Sequence, residues 1–175
     1  MSRALIVLQL ILCASSAFGA EISGTVTEVH DGDTVTLANL QFTYRIRLVD
    51  IDAPELAQPR GKDSRTSLRE LCMLKQAVVE TQGEDRFGRT LGRVTCVGVY
   101  ANAEQVRRGW AWVFVRYAPR NSPLYALERE ARLGKRGLWA DDVPVPPWEW
   151  RGKKGGSVNE RSYEGGRNNP IDRTN

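Results

Sequence analysis

Residues 31–55 read DGDTVTLANLQFTYRIRLVDIDAPE, and the alternation inside this stretch decides the fold class. Val35 and Leu37 alternate with threonines over 34–37, and Phe42, Tyr44, Ile46 and Leu48 alternate with Thr43, Arg45 and Arg47 over 42–49. A period of two is the mark of half-buried strands, here joined by a turn at Ala38-Asn39. The same parity puts Asp33 on the face of Val35 and Leu37. A carboxylate facing a core is costly unless it is paired or bound to a cation. Pro54 cannot continue the strand pattern, so Asp52, Ala53 and Glu55 fall at its end.

Outward from this stretch, 22–29 is a β-branched, alternating run, and Asp31-Gly32 is a tight-turn pair. The spacing predicts a helix over 58–74 with Leu68, Leu71 and Cys72 as its apolar stripe. Two more strands, 77–81 and 90–97, flank the polar loop 82–89. Asn102 with Gln105 three residues on resembles a capping box opening a short helix that Gly109 ends. Ser122-Pro123 opens a third helix, with Leu124, Leu127 and Ala131 inward and Gly134 or Gly137 as its stop. The proline-rich run to Trp150 is expected to lie on the body as a clasp. Five short strands with interspersed helices predict an α+β fold: a five-stranded Greek-key barrel of the OB type with three helices.

The ends read differently. Over 1–19 a charged start at Arg3, an apolar run from Ala4 to Ala14, and small residues at Ala17 and Gly19 lay out a secretory signal peptide. The run is too short to be a permanent membrane span. Leu12 before Cys13 argues against a lipid anchor. The expected product is exported, periplasmic or extracellular, and free of the membrane after cleavage. Residues 151–175 are rich in glycine, asparagine and charge, and are expected to form a disordered basic tail. That leaves 20–150 as one domain. From 21 to 150 the chain carries 18 basic and 18 acidic residues, so the net charge of +4 belongs to the ends. A basic isoelectric point is therefore no sign of a general nucleic-acid-binding face.

Two cysteines remain beyond the leader. In an exported chain Cys72 and Cys96 are either a disulfide or two buried thiols. No CxxC or Cys/His cluster suggests structural zinc. His30 is the only histidine, which excludes mechanisms that need a pair.

The remaining chemistry lies in acids and arginines. Asp33 and Asp52 are hard oxygen donors at strand ends, suited to Ca²⁺ or Mg²⁺. Glu55, restrained by Pro54, is the candidate general base. Arg47 and Arg89 are candidate phosphate clamps, because a guanidinium offers a planar fork to two phosphate oxygens. Together they assign the parts of phosphodiester hydrolysis: positive charge on the phosphoryl oxygens and a carboxylate to prepare water.

The segments VHDGDTVTL, RIRLVDIDAPEL, DRFGRTLG and QVRRGWAWVFVRY resemble the staphylococcal nuclease (thermonuclease) family, over roughly 21–140. The resemblance implies an OB-fold nuclease that needs Ca²⁺ and cuts DNA and RNA to leave 3′-phosphates, acting as a monomer. By motif, Asp33 and Asp52 match the calcium carboxylates and Ala53 stands where a backbone carbonyl binds the ion. Glu55 matches the base, and Arg47 and Arg89 match the arginines on the scissile phosphate. Asp50 takes a position often held by glycine and is a rival to Asp52 if the register slips. Phe87 replaces a common tyrosine, a loss for which Arg86 and Tyr117 are candidate substrate contacts. Trp110 and Trp112 could stack bases or pack in the core. The competing reading is a non-catalytic OB-fold module that holds nucleic acid or a partner.

Overall fold

The computed structural model describes residues 20–155; the expected signal peptide at 1–19 and the segment 156–175 lie outside them. In chain order the strands are β1 (Glu21–Val29), β2 (Thr34–Ala38), β3 (Thr43–Leu48), β4 (Ile51–Asp52), β5 (Gln76–Glu84), β6 (Thr90–Cys96), β7 (Val99–Tyr100) and β8 (Trp112–Val113). The helices are α1 (Gly61–Cys72), α2 (Ala101–Arg107), α3 (Leu124–Leu133) and α4 (Pro147–Gly155), with a 3₁₀ turn at Gly137–Ala140.

Alternation does what parity requires. In β2 and β3, Val35, Leu37, Ile46 and Leu48 are fully buried, and they meet Val26, Val29, Val79 and Val94 from the neighbouring strands. Antiparallel ladders join β3, β2, β1, β5 and β6 in that order. A parallel pairing, Ile46 with Thr90 and Leu48 with Gly92, then closes β3 onto β6. The result is a closed five-stranded mixed barrel without free edges, as the OB reading expects. Phe42 departs from its strand's parity and is 59% exposed, because β3 begins only at Thr43.

Four helices stand where three were expected. The fourth, α4, runs through position 150 to Gly155, so the first residues after 150 are helical. The clasp is real but partly helical. Gln58 Nε2 donates to the Val145 carbonyl at 2.5 Å, and Arg60 pairs with Asp141 at 2.7 Å. Trp148 then stacks on Phe114 with ring centres 5.7 Å apart.

The capping box does not exist. Tyr100 is the residue before α2, while Asn102 and Gln105 lie within the helix and are wholly buried. Asn102 accepts the Val94 N–H at 3.0 Å and donates to the Val49 carbonyl at 2.9 Å, so it ties α2 to the barrel. Asp50 has φ 66°, a left-handed conformation that suits glycine, and its carboxylate faces Arg93 at 3.8 Å. It is not part of the Asp52 cluster.

Cys72, at the end of α1, and Cys96, at the end of β6, form a disulfide. It closes a loop of sequence separation 24. In the chain-entropy model such a loop contributes about 3 kcal/mol. Reduction with dithiothreitol is expected to lower the unfolding free energy of the purified protein by about this amount, read as a drop in urea midpoint with a steeper slope, since the unfolded chain expands without its cross-link.

Candidate active site

Two strand ends and two turns bring the acids together. Asp33 closes the turn after β1, where its own N–H is accepted by Asp31 Oδ1 at 3.0 Å. The turn presses close to its neighbours: a Cβ on Gly32 would lie 1.8 Å from Ser64 Oγ and 2.7 Å from the Ala53 Cβ, so only glycine fits. Gln105 fixes the turn from behind, donating to the Gly32 carbonyl at 2.7 Å and to the Ser64 carbonyl at 3.1 Å. Asp52 is placed by a separate two-stranded ladder, paired with Trp112 of β8. Glu55 follows in a turn that Gln58 holds by accepting its N–H at 3.2 Å. Gly61 lets α1 begin against that turn, since a Cβ there would meet the Glu55 carbonyl at 1.9 Å.

Asp33 and Asp52 are 5% and 1% exposed, and one guanidinium holds both. Arg47 Nη2 lies 3.2 Å from Asp33 Oδ2 and 3.0 Å from Asp52 Oδ1. Arg47 Nη1 donates to the Leu48 carbonyl at 2.6 Å. Expected as a phosphate clamp, Arg47 here spends its outer nitrogens on the acids and its own strand. Asp33 also accepts the Thr34 hydroxyl at 3.2 Å and the Ala53 N–H at 2.6 Å. The contact that Ala53 makes with the cluster is thus through its N–H. Burial pushes the Asp33 carboxyl well above its ordinary range; Arg47 opposes this, and the nearby Asp31 and Asp52 add to it.

That field fits a hard divalent ion. Two desolvated carboxylates share one nitrogen of Arg47, and their oxygens suit Ca²⁺ or Mg²⁺. Among the described residues no three His, Cys, Asp or Glu side chains gather as a ligand set. Asp33 and Asp52 would therefore share an ion with carbonyl, water or phosphate oxygens rather than enclose it.

Sequence reasoning missed one residue of this cluster. Arg151, from α4, places Nη2 2.7 Å from Asp52 Oδ2 and Nη1 2.8 Å from Glu55 Oε1, with Asp52 Oδ1 at 3.3 Å. Burial alone would ease its deprotonation, but the hydrogen bonds to Asp52 and Glu55 outweigh it and hold the guanidinium more firmly charged. Its surroundings in sequence, RGKKGG, look like solvated tail. The signal that could have found it is Trp148, three residues earlier and so on the same helix face.

Arg89 is not drawn into the cluster. It donates to Asp85 at 2.7 Å, and its guanidinium lies 5.6 Å from the Phe87 ring. The β3–β6 register pairs Arg47 with Leu91, so Arg89 enters β6 two positions before Arg47's partner. Arg86 lies over Phe87 at 4.7 Å, and Tyr117 is 65% exposed with its edge against Phe114. Trp112, 3% exposed and packed on Trp139 and Trp148, is core rather than a stacking platform. His30 meets Thr36 Oγ1 at 2.7 Å and Glu28 Oε1 at 3.4 Å, and neither belongs to the cluster. Beside Glu55, Leu56 and the α1 residues Lys62, Arg65, Thr66 and Arg69 line an open groove. Neither Lys62 nor Arg69 makes an ion pair among the described residues.

Comparison with known proteins gives the same direction. The family model described as "Staphylococcal nuclease homologue" matches residues 45–141. An "Uncharacterized endonuclease" of Escherichia coli O157:H7 is 44% identical over 136 residues, 77% of this chain and 88% of that protein. "Micrococcal nuclease" of Shigella flexneri is 36% identical over 151 residues, covering 81% and 87%. A "Probable staphylococcal-like nuclease CAN1" of Oryza sativa subsp. japonica is 41% identical over 111 residues, but only a third (33%) of that protein is covered.

Gln105 makes the turn that carries Asp33 testable on stability. Gln105→Leu keeps the bulk and leaves the Gly32 and Ser64 carbonyls without their buried donor, at an expected cost of about 1–3 kcal/mol in urea unfolding. An unchanged midpoint would mean that the turn stands without α2.

Proposed function

The chain belongs to the staphylococcal nuclease family, and from that premise we propose an exported, calcium-dependent nuclease that leaves 3′-phosphate ends on DNA and RNA. That it is a hydrolytic nuclease follows from the family. The non-catalytic alternative loses its ground with that. One observation carries the finer reading: a single nitrogen of Arg47 reaches both buried carboxylates, Asp33 and Asp52, with Glu55 bridged to the second through Arg151.

Asp33 and Asp52 would hold the ion, with the Ala53 carbonyl as the further ligand that the motif suggests. When bound, calcium supplies positive charge to the phosphoryl oxygens. Glu55 Oε1 is engaged by Arg151, and Oε2 remains to orient a water and take its proton. Arg89 supplies a guanidinium to the phosphate once it exchanges Asp85 for the phosphodiester oxygens, which its planar fork can meet in pairs. Export is supported by the leader pattern at 1–19 and by the disulfide, which belongs to an oxidising compartment. No described helix is long and apolar enough to cross a membrane. We read the protein as acting alone, as a monomer.

The test is cleavage of single-stranded DNA and of RNA by the purified chain lacking 1–19, with calcium and then with chelator. Cutting is expected only with the ion, and the end group is expected to be a 3′-phosphate. Glu55→Gln and Arg89→Ala should each lose on the order of 10²–10³ in rate while the circular dichroism is unchanged. Products with 5′-phosphates would overturn the assignment of the leaving group.

The groove of Lys62, Arg65 and Arg69 supports a polymer substrate. Cations at 62, 65 and 69 lie on one helical face and open onto Glu55's neighbour Leu56. If the strand runs there, Lys62→Ala and Arg69→Ala should each flatten the salt dependence of single-strand binding by about 0.7 in log–log slope. Equal slopes for wild type and variants would move the strand elsewhere.

A further inference from the structure

We infer that Arg151 is a positioning residue of the active site: it fixes the Glu55 carboxylate beside Asp52 and competes with the divalent ion for Asp52. The inference rests on the nuclease reading above and deepens it. Three observations carry it. First, Arg151 is the only partner of the Glu55 side chain among the described residues; the other two bonds of that residue, both to Gln58, are made by its backbone. Glu55 sits in a turn with its side chain 42% exposed, so without Arg151 its carboxylate would sample several rotamers. Second, the guanidinium uses both outer nitrogens. Nη2 takes Asp52 Oδ2, and Nη1 lies between Asp52 Oδ1 and Glu55 Oε1, so one rigid plane sets the spacing of two acids. Third, the reach is built into the fold. Trp148, one helical turn before Arg151, stacks on Phe114 at 5.7 Å and packs against Trp112 at 6.5 Å; Trp112 is the residue paired with Asp52. The element that delivers the arginine and the element that delivers the acid therefore share one aromatic contact.

The chemistry follows from the occupancy of Asp52. Its Oδ1 is shared by Arg47 and Arg151, and its Oδ2 is taken by Arg151. A divalent ion coordinated by Asp52 has to displace at least one of these donors. Arg47 holds Asp33 as well and its side chain is 13% exposed, whereas that of Arg151 is 44% exposed. Arg151 is the donor that yields on Asp52, and it keeps Glu55 when it does. The residue therefore weakens cation binding and improves the placement of the base, two effects of opposite sign on turnover.

The experiment uses the whole chain without its leader as wild type, Arg151→Ala and Arg151→Lys, with folding checked by thermal unfolding. Calcium affinity is measured by titration calorimetry without substrate, and kcat and KM on single-stranded DNA at saturating calcium. For Arg151→Ala, calcium is expected to bind about fivefold tighter, the size of a partly exposed ion pair. Its kcat is expected to fall about tenfold or more with KM little changed, as a misplaced base requires. Free guanidinium should restore part of that kcat, and Arg151→Lys, which keeps the charge but cannot bridge two acids, should recover only part of it. A kcat for Arg151→Ala equal to or above wild type overturns the inference, because α4 then only covers the site. So does full recovery by lysine, or a calcium affinity that does not change. If the wild type itself cuts nothing, the nuclease reading has failed, and the calorimetry still decides whether Arg151 contends for Asp52.

Discussion

Two carboxylates buried side by side set the terms for everything around them. Moving an ionised carboxylate out of water costs several kcal/mol in a real protein, and a second one nearby adds repulsion. Asp33 and Asp52 meet that cost with one shared guanidinium, Arg47, and Asp52 draws on a second, Arg151. Burial leaves Asp33 still inclined to hold a proton despite Arg47, and the charges of Asp31 and Asp52 add to it. Such a cluster gives the fold little stability. It is better understood as a set of desolvated charges kept in place by the scaffold, which a cation and a phosphate can engage.

The scaffold keeps it in place with buried polar tethers rather than with apolar packing alone. Each acid sits on irregular backbone: Asp33 in a turn, Asp52 on a strand of two residues, Glu55 in a turn before α1. Irregular backbone near a core leaves carbonyls that need donors. Gln105 supplies one to Gly32 and one to Ser64, Asn102 supplies one to Val49, and Ser64 donates to the Trp110 carbonyl at 2.7 Å. Helices α1 and α2 thus act as braces that turn a generic barrel end into a defined set of oxygen positions. Gly32 and Gly61 contribute by absence, because any side chain there would push the braces away from the acids.

How much of this could be read in advance follows from the range of the interactions. The five barrel strands were legible because alternation is local: each residue's face is set by its neighbours. Asp33, Arg47, Asp52 and Glu55 were legible as a group because they occupy one short stretch and their parity made Asp33 anomalous. Asn102 and Gln105 were misread because Asn-x-x-Gln at a helix start has a local explanation, while their real partners, Val49, Val94, Gly32 and Ser64, are far away in sequence. Arg151 was missed for a similar reason. Composition after 150 describes a chain with little apolar surface of its own to bury; what orders residues 151–155 is Phe114 and Trp112, more than thirty positions upstream.

That last point bears on how α4 can exist. A helix of nine residues (Pro147–Gly155) is too short to be stable alone in water. An aromatic pair contributes about 0.5–1.5 kcal/mol beyond its buried area, so the Trp148 stack is of the size that tips a marginal helix into order. The pairing of Arg151 with two acids adds to it, and Pro147 at the first position removes an N–H that would otherwise lack a partner. Helix, stack and ion pair therefore support one another. Trp112 of the same aromatic cluster is paired across from Asp52, so the docking of the last helix and the strand under the acid rest on one set of rings, with the barrel as their common support.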